Sequence, residues 1–370
     1  GHHWNRGPHA LYRGAAAERL LRRFGAPLAG ASPSSGFHGS LRGRVEPLPV
    51  GAASLVRSRL VNAKGKVALA RSRARLMDAD PAGLGSQTFA QWLEALRLPD
   101  DAAALQRMLA RVGTYSCTPE IAAADMVVGQ LQLSMRTGVL YVDGGWQVLV
   151  DALADGLDIR PEAAVAVGRD GEDVVVSLDG GGTLAASTAV VALATPDAAA
   201  TLTGRVPFTV GPPVEAACLD LATTGPSPVP LLFGIDEPLY LSDHGAFARL
   251  APEGGSVVHV ARYLRPGEQH DPAATRAQLE QHALLAGITP AMIVDARYLH
   301  RMTVAGALAV AEHGGLAGRP AVTDSGVDGV FLAGDWVGAE GHLLDASAAS
   351  AEAAATGALA AAAAGKLVGR

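Results

Sequence analysis

The chain of 370 residues is 49% hydrophobic, has a net charge of −6 and a mean hydropathy of +0.21, values that indicate a globular protein with room for two domains. No apolar run is long enough for a membrane-spanning helix, since the Ala-rich tail of residues 346–364 contains Glu352 and Thr356, and the charge balance gives no indication of nucleic-acid binding. The two cysteines, Cys117 and Cys218, are far apart and are predicted to be reduced and buried, as in a protein of the cytoplasm.

The first part of the chain is predicted to be mainly helical. An apolar stripe predicts a helix over Ala15–Phe24, and a short pair of strands is expected within Phe37–Val50. From Ala52 to Arg136 the apolar spacing is helical almost throughout, with Ser86 as the predicted cap of one helix and Pro119 as the predicted first residue of another. This block is interpreted as a helical insertion.

Strands dominate the rest of the chain. Residues 163–196 predict a meander of three strands, in which the "DGGGT" of residues 179–183 is a hairpin turn. Between Val214 and Arg301 strand-like runs alternate with a helix over Ala273–Leu285, and a last strand over Gly329–Ala333 precedes a long Ala-rich helix. The pattern as a whole predicts an α/β fold.

The stretch "VFLAGDWVGAEGHLLDASAASAEAAA", beginning at Val330, has the most informative chemistry in the chain. A predicted strand ends at Gly334 and Asp335, and a helix begins after a short loop. A carboxylate at such a corner can cap a turn, or it can accept hydrogen bonds from the hydroxyls of a cofactor whose polar groups face the helix N-terminus. The motif alone leaves both interpretations open.

Four segments in order carry a resemblance to a known family: "GPHALY", "VDGGWQVLVDALADGL", "AVVALATPDAA" and the stretch from Val330. Together they resemble the FAD-dependent amine oxidases, protoporphyrinogen oxidases and phytoene-type desaturases. The resemblance implies a glutathione-reductase-like FAD-binding domain built from discontinuous segments, and a substrate domain with a helical insertion. It assigns residues 1–45, 137–205 and 321–370 to the FAD-binding domain, the last as its C-terminal strand and helix. Residues 46–136 become the helical part and 206–320 the sheet part of the substrate domain.

The resemblance also implies the residues that contact FAD. Val165 matches the strand position that offers backbone groups to adenine, and Gly334 and Asp335 match the ribityl and pyrophosphate site. Leu344 matches the residue whose N–H faces the flavin C2 carbonyl, where a helix dipole stabilises negative charge. Leu343 and Asp345, on either side of it, complete the predicted set, listed together as Val165, Gly334, Asp335, Leu343, Leu344 and Asp345. Trp146 and Trp336 are interpreted as core aromatics.

Two departures from the family pattern bear on function. The chain has no GxGxxG turn of a Rossmann unit, so the resemblance predicts an N-terminally truncated member, and a fragment that does not bind FAD stays an alternative. The family's amine oxidases have a Lys near the flavin and an aromatic cage, whereas here the lysines are Lys64, Lys66 and Lys366 and the cage position is Leu343. We therefore expect hydride transfer from a hydrophobic small molecule to flavin N5, with an oxygen-using amine oxidase as the alternative.

The basic stretch "VRSRLVNAKGKVALARSRARL" begins at Val56. It predicts either a solvated helix face or peripheral contact with an anionic membrane. The histidines, among them His9, His244 and His259, are scattered along the sequence without a carboxylate or thiol at ligand spacing, so no metal site is predicted.

Overall fold

The computed structural model describes the backbone of residues 1–368 and the side chains of residues 1–364. Its α-helices are Ala16–Arg23 (α1), Ala52–Arg57 (α2), Ala63–Asp78 (α3), Phe89–Ala95 (α4), Asp100–Thr114 (α5), Ala124–Thr137 (α6), Gln147–Ala154 (α7), Pro196–Thr203 (α8), Pro272–Leu285 (α9) and Leu344–Val368 (α10). None of the helices in this part of the chain has the length and apolar content needed to cross a membrane.

Most of the strands lie where the sequence pattern predicts them, whereas β1, β2 and β5 were not predicted. They are Leu11–Tyr12 (β1), Gly30–Ala31 (β2), Phe37–Leu41 (β3), Arg44–Pro47 (β4), Val139–Val142 (β5), Ala164–Asp170 (β6), Asp173–Leu178 (β7), Thr183–Ala186 (β8), Ala189–Ala192 (β9), Val214–Thr223 (β10), Leu231–Gly234 (β11), Leu239–Asp243 (β12), Ser256–Leu264 (β13), Ile293–Ala305 (β14) and Val330–Ala333 (β15). The predicted α/β class is confirmed in this coarse sense.

The largest sheet has seven strands in the order β14-β10-β13-β12-β11-β3-β4. Neighbouring strands within this sheet are antiparallel, except for β11 and β3, which are parallel. Side chains of β10 alternate between the two faces: Ala216 and Cys218 join the core beneath the helical insertion, whereas Leu219 and Leu221 join the core beneath α9. The central strands of the sheet are therefore buried on both faces, whereas the edge strands β14 and β4 are largely exposed.

The other sheets are small. Strands β6, β7 and β8 form the predicted three-stranded meander, and residues 179–182 make its second turn. Residues 189–192 do not extend the meander, because β9 pairs in parallel with β15. Strands β1, β5 and β2 form a third small sheet, against which α1, α7 and the start of α10 pack through Leu21, Leu149 and Ala348. The early segments of the chain thus meet the C-terminal helix.

The helical character predicted for residues 52–136 is confirmed by α2 to α6, with two corrections in detail. The helix predicted to be capped by Ser86 is capped by Thr88, whose Oγ1 accepts from the Gln91 N–H at 3.1 Å. The helix predicted to begin at Pro119 begins at Ala124, because residues 122 and 123 pair with neighbouring chain segments in isolated bridges. The five-segment division into domains and the glutathione-reductase-like arrangement remain predictions.

Candidate functional site: a large cavity at the start of the C-terminal helix

A cavity of about 1690 Å³ lies between the large sheet, the helical insertion and the start of α10. Pockets for drug-sized ligands usually measure about 300–1,000 Å³, so this one has room for a ligand larger than most substrates. Leu231 and Leu299 line it from the sheet, Leu105 from α5, and Leu344 from α10. The cavity therefore brings together the segments that the sequence assigned to cofactor and to substrate.

The corner at Gly334 requires glycine because the chain is tightly packed there. A Cβ at this position would lie 2.7 Å from Trp336 Nε1 and 3.0 Å from the Leu193 carbonyl oxygen. Trp336 is fully buried and its Nε1–H donates to that same carbonyl at 2.9 Å, which confirms it as a core aromatic. Ser350 Oγ accepts from the Gly334 N–H and donates to its carbonyl, so α10 holds the corner in place.

Asp335 follows this corner and lines the cavity. Its carboxylate accepts from the Gly306 N–H, with both oxygens at 3.0 and 3.1 Å from the nitrogen. Burial raises the pKa of Asp335 to about 6, although Gly306 and Arg319 favour the charged form. One N–H does not use the acceptor capacity of two carboxylate oxygens, so Asp335 can still accept from hydroxyl groups of a bound molecule.

Three successive residues form the turn into α10. Leu343 has a φ of +54°, which an L-residue with a bulky side chain rarely adopts, and α10 begins at Leu344. Asp345 Oδ1 accepts from the N–H of Ala17 at 2.9 Å, in the first turn of α1, and burial raises its pKa to about 6. The first N–H groups of a helix have no partner within it, so this turn presents donors at the cavity.

Two basic residues with buried nitrogens beside this turn, Arg319 and His342, were missed by sequence reasoning. Arg319 Nη1–H donates to the Gly341 carbonyl at 2.9 Å, while its Nε and Nη2 have no hydrogen-bond partner among the described residues. Burial lowers the pKa of Arg319 to about 10. His342 Nε2–H donates to the Thr114 carbonyl at 3.0 Å, and burial lowers its pKa to about 4. At neutral pH the charged guanidinium of Arg319 and the neutral imidazole of His342 therefore lie beside the turn into α10.

His9 lies on the cavity wall and presents a defined tautomer. Its Nδ1 is 2.9 Å from the Gly7 carbonyl oxygen. Because a carbonyl only accepts, Nδ1 carries the hydrogen and the neutral ring has its lone pair on Nε2. The ring contacts Trp146 edge-on with centroids 4.7 Å apart, and burial lowers its pKa. His9 is thus a neutral imidazole with a free acceptor nitrogen at physiological pH.

A buried polar cluster holds the turn that orients His9. Asp220 accepts from the Gly7 N–H at 3.2 Å and, through its other oxygen, from His259 Nδ1 at 2.6 Å. The His259 and His244 rings are 4.4 Å apart. The sequence analysis assigned no partner to His259, because no carboxylate or thiol stands at ligand spacing from it along the chain. Asp220 and His259 lie opposite each other on β10 and β13, a pairing that their sequence separation conceals.

The cavity contains most of the predicted contact residues. Asp335, Leu343, Leu344 and Asp345 line it, together with Trp146, which was interpreted only as a core aromatic. Gly334 is not one of the lining residues, although Asp335 next to it is. Val165 lies on β6, is 52% exposed, and is not part of the lining. The predicted thiol environments hold for Cys218, which is buried, and only in part for Cys117, which is half-buried.

The residues present fit a flavin dinucleotide. The cavity wall has an acceptor for hydroxyls in Asp335, the donors of the α10 N-terminus for carbonyl oxygen, and a volume of about 1690 Å³. Three buried nitrogens have no hydrogen-bond partner among the described residues: Trp146 Nε1, Arg319 Nε and Arg319 Nη2. Buried donors are normally satisfied in a native protein, so these nitrogens are candidates for contacts with a bound molecule. No GxGxxG turn is present in the sequence to add phosphate donors.

Comparison with known proteins shows which family and which solved structures the chain resembles. The sequence model of flavin containing amine oxidoreductases matches residues 1–359. No curated protein has a significant sequence match. An oxidoreductase from Methanosarcina mazei has a similar structure, with a TM-score of 0.69 and 14% identity over 94% of this chain and 87% of that one. Cyclohexylamine oxidase from Brevibacterium oxydans IH-35A has a TM-score of 0.60 and 14% identity over 94% and 87% of the two chains.

A third structure extends the range of chemistry among the neighbours. The CLA-producing fatty acid isomerase from P. acnes has a TM-score of 0.66 and 11% identity, over 96% of this chain and 87% of that one. Identities this low show a shared fold, whereas the sequence model spans nearly the whole chain. The loop from Gly334 to Asp345, the cavity beside it and that match lead to one conclusion: the chain belongs to the flavin-containing amine oxidoreductase family and is an FAD-dependent oxidoreductase.

Proposed function

We propose that the protein is a desaturase- or dehydrogenase-like enzyme that oxidises a hydrophobic small molecule by hydride transfer to flavin N5. The observation that carries this proposal is the charge of the cavity wall. Among the described residues, the only acidic side chains that line it are Asp335, just after β15, and Asp345, in the first turn of α10. Four arginines line it: Arg6, Arg73 and Arg297, which are exposed, and Arg301, which is paired with Glu215. Such a wall disfavours a cationic amine and suits an apolar substrate that is neutral or has an acidic end.

Asp335 and the N-terminus of α10 would hold the flavin, and Arg319 would complement its negative charge. When bound, the flavin supplies at N5 the acceptor for the hydride that the substrate loses. The apolar side chains of the sheet and the insertion, such as Leu231, Leu299 and Met108, exclude water and align the substrate by burial. We also propose that the FAD-binding segments adopt the glutathione-reductase-like arrangement that the resemblance implies.

His9 is proposed as the proton acceptor of the reaction. Formation of a C=C bond requires that one carbon lose a hydride and the adjacent carbon lose a proton. The Nε2 lone pair of His9 is available on the cavity wall because Nδ1–H is engaged by Gly7. Nε2 takes the proton, the ring becomes charged, and the proton passes to solvent before the next turnover. General-base catalysis of this kind usually contributes about 10²–10⁴-fold to the rate.

A second candidate, oxidation of an amine with oxygen as acceptor, has one specific observation in its favour. Aromatic side chains line the cavity, including Tyr115, Tyr240 and Trp146, and such rings can guide an amine through their quadrupoles. Leu343 at the turn has no such property, and the lysines with described side chains, Lys64 and Lys66, are on α3 away from the lining. Lys366 is outside the described side chains.

The decisive experiment is anaerobic flavin reduction in the full-length protein loaded with FAD. We expect loss of the oxidised flavin band, at about 450 nm for a bound flavin, with polyenes, fatty acids or other apolar compounds and not with mono- or polyamines. Reduction by amines at physiological pH, without response to the apolar panel, would assign the second candidate instead. The His9→Gln variant should retain its flavin spectrum and lose rate only with true substrates.

A further inference from the structure

The chain has an unusual concentration of positive charge on α2, α3 and the segment between them. Between Glu46 and Asp78 the sequence has no acidic residue, although the net charge of the whole chain is −6. Seven basic residues, here called the basic surface, lie in that interval: Arg57, Arg59, Lys64, Lys66, Arg71, Arg73 and Arg75. None of them forms a salt bridge with a described acidic side chain. This charge is therefore available to a partner.

Helix α3 has two apolar faces. Its inner face packs on α5 and α6 and buries Gly65, Leu69 and Leu76. Its outer face has an exposed strip spaced by four, three and four residues, formed by Ala63, Val67, Ala70 and Ala74. At 100° per residue, Lys64, Arg71 and Arg75 fall on one side of this strip and Lys66 and Arg73 on the other. An exposed apolar strip between two basic rows is the pattern of a helix that lies in a membrane interface.

The neighbouring segment extends the apolar strip. Helix α2 has no buried residue, and Val56 is 73% exposed on it. Val50 before α2 is 52% exposed and Val67 on α3 is 51% exposed. Three valines are thus exposed within eighteen residues of sequence, and two of them, Val56 and Val67, stand next to the basic residues Arg57 and Lys66. Exposed apolar side chains concentrated in this way are typical of an interaction surface.

The cavity reaches solvent at this surface. Val50, Gly51, Ala52, Ala70 and Arg73 are all exposed and all line the cavity. Exposed residues in a cavity wall mark a place where it opens. The apolar strip and the basic surface thus surround an entrance to the site where an apolar substrate would react.

We propose that this surface docks on an anionic lipid bilayer, with the valines in the interface and the basic side chains on the headgroups. The stretch between Glu46 and Asp78 contains no Phe, Tyr or Trp, so it offers no platform for stacked nucleic-acid bases. An anionic bilayer has headgroups that pair with the basic side chains and an apolar interior that accepts the apolar strip. Docking there would place the cavity entrance next to a membrane in which apolar molecules dissolve. The docking itself does not depend on the proposed reaction.

The test is co-sedimentation of the full-length protein with vesicles. We expect binding to vesicles that contain phosphatidylglycerol and little binding to phosphatidylcholine alone. Each basic side chain near such a surface contributes about a fivefold factor in affinity, so Lys64→Glu/Arg71→Glu should lose at least tenfold. The matched control is Arg160→Glu/Arg276→Glu, which changes the net charge equally at two exposed positions, on the segment before β6 and on α9. The control should bind as the wild type does.

A second pair of variants separates a lipid surface from other anions. Val56→Ser/Val67→Ser keeps every charge and should reduce vesicle binding severalfold, since the apolar insertion is lost. The proposal is wrong if the wild-type protein does not bind anionic vesicles. It is also wrong if the control variant loses as much vesicle affinity as the α3 variant. Vesicle binding unchanged in the valine variant would show purely ionic attraction and overturn docking by insertion. Binding is measured without substrate turnover, so failure of the proposed function is a separate result.

Discussion

The two ends of the cavity are built in different ways. At the α10 end, position is set by the backbone: Gly334 is locked by Ser350, Gly306 donates to Asp335, and Leu343 adopts a positive φ. At the opposite end, the wall consists of side chains from the large sheet and the insertion. A backbone-defined end tolerates few residue types and therefore leaves a sequence signature. A wall of apolar side chains accepts many combinations of similar volume and leaves almost none.

The largest effect is expected at His9, on the cavity wall. The His9→Gln variant should lower the rate of flavin reduction by substrate by about 100-fold or more, since a general base is lost. The matched control is His38→Gln, because His38 Nδ1 makes the same contact with a carbonyl two residues earlier, at 2.9 Å from Gly36 O, and does not line the cavity. Equal losses in both variants would remove His9 from the chemistry.

The next effect isolates the α10 end. Asp335→Ala removes the carboxylate that is proposed to accept from ribityl hydroxyls, so FAD should bind about ten- to hundredfold more weakly, corresponding to about 1.5–3 kcal/mol. Titration of apoprotein with FAD, followed by fluorescence, measures this change. Asp328→Ala serves as the control, since Asp328 is exposed just before β15. Unchanged FAD affinity in the Asp335 variant would mean that the carboxylate only caps the corner.

The pKa of Asp335 gives a third expectation. Burial raises it to about 6, and hydroxyl donors of a bound flavin would favour the charged form and lower it again. Binding therefore competes with protonation, so FAD affinity should rise by roughly tenfold between pH 5 and pH 7 and then level off. Asp335→Asn cannot titrate and should give a flat profile. A wild-type profile as flat as that of the Asn variant would contradict the proposed contact.

The smallest effect is expected on the free energy of unfolding, for two contacts that join α1 to α10. Asp345 accepts from the Ala17 N–H in a buried position, so Asp345→Ala should lower the free energy of unfolding by about 1 kcal/mol. Glu352 pairs with Arg23 at 3.0 Å between exposed side chains, and Glu352→Ala should cost only a few tenths. Chemical denaturation of both variants measures the difference. A larger loss at Glu352 would reverse our account of how these helices are joined.

The same contrast between the two ends explains which residues of the site could be predicted from the sequence. Asp335, Leu343, Leu344 and Asp345 were predicted from the family resemblance of the stretch that begins at Val330, and all four line the cavity. Arg319 and His342 were missed, since their importance depends on burial and on unsatisfied nitrogens. Whether Val165 contacts adenine stays a prediction. The assignment of elements succeeded in most places because apolar periodicity reports burial, and it failed at Pro119, where bridges to other segments replace the helix.

The sequence by itself determined the family, the α/β class and the corner at Gly334, because these depend on local backbone constraints and on the order of short motifs along the chain. Only the tertiary structure decided that Asp220 meets His259 across β10 and β13, that this pair anchors the turn orienting His9, and that four arginines from distant segments line one cavity. The physical reason is that charge, burial and tautomer at a site depend on which distant segments pack together, and those contacts join residues that no local pattern relates.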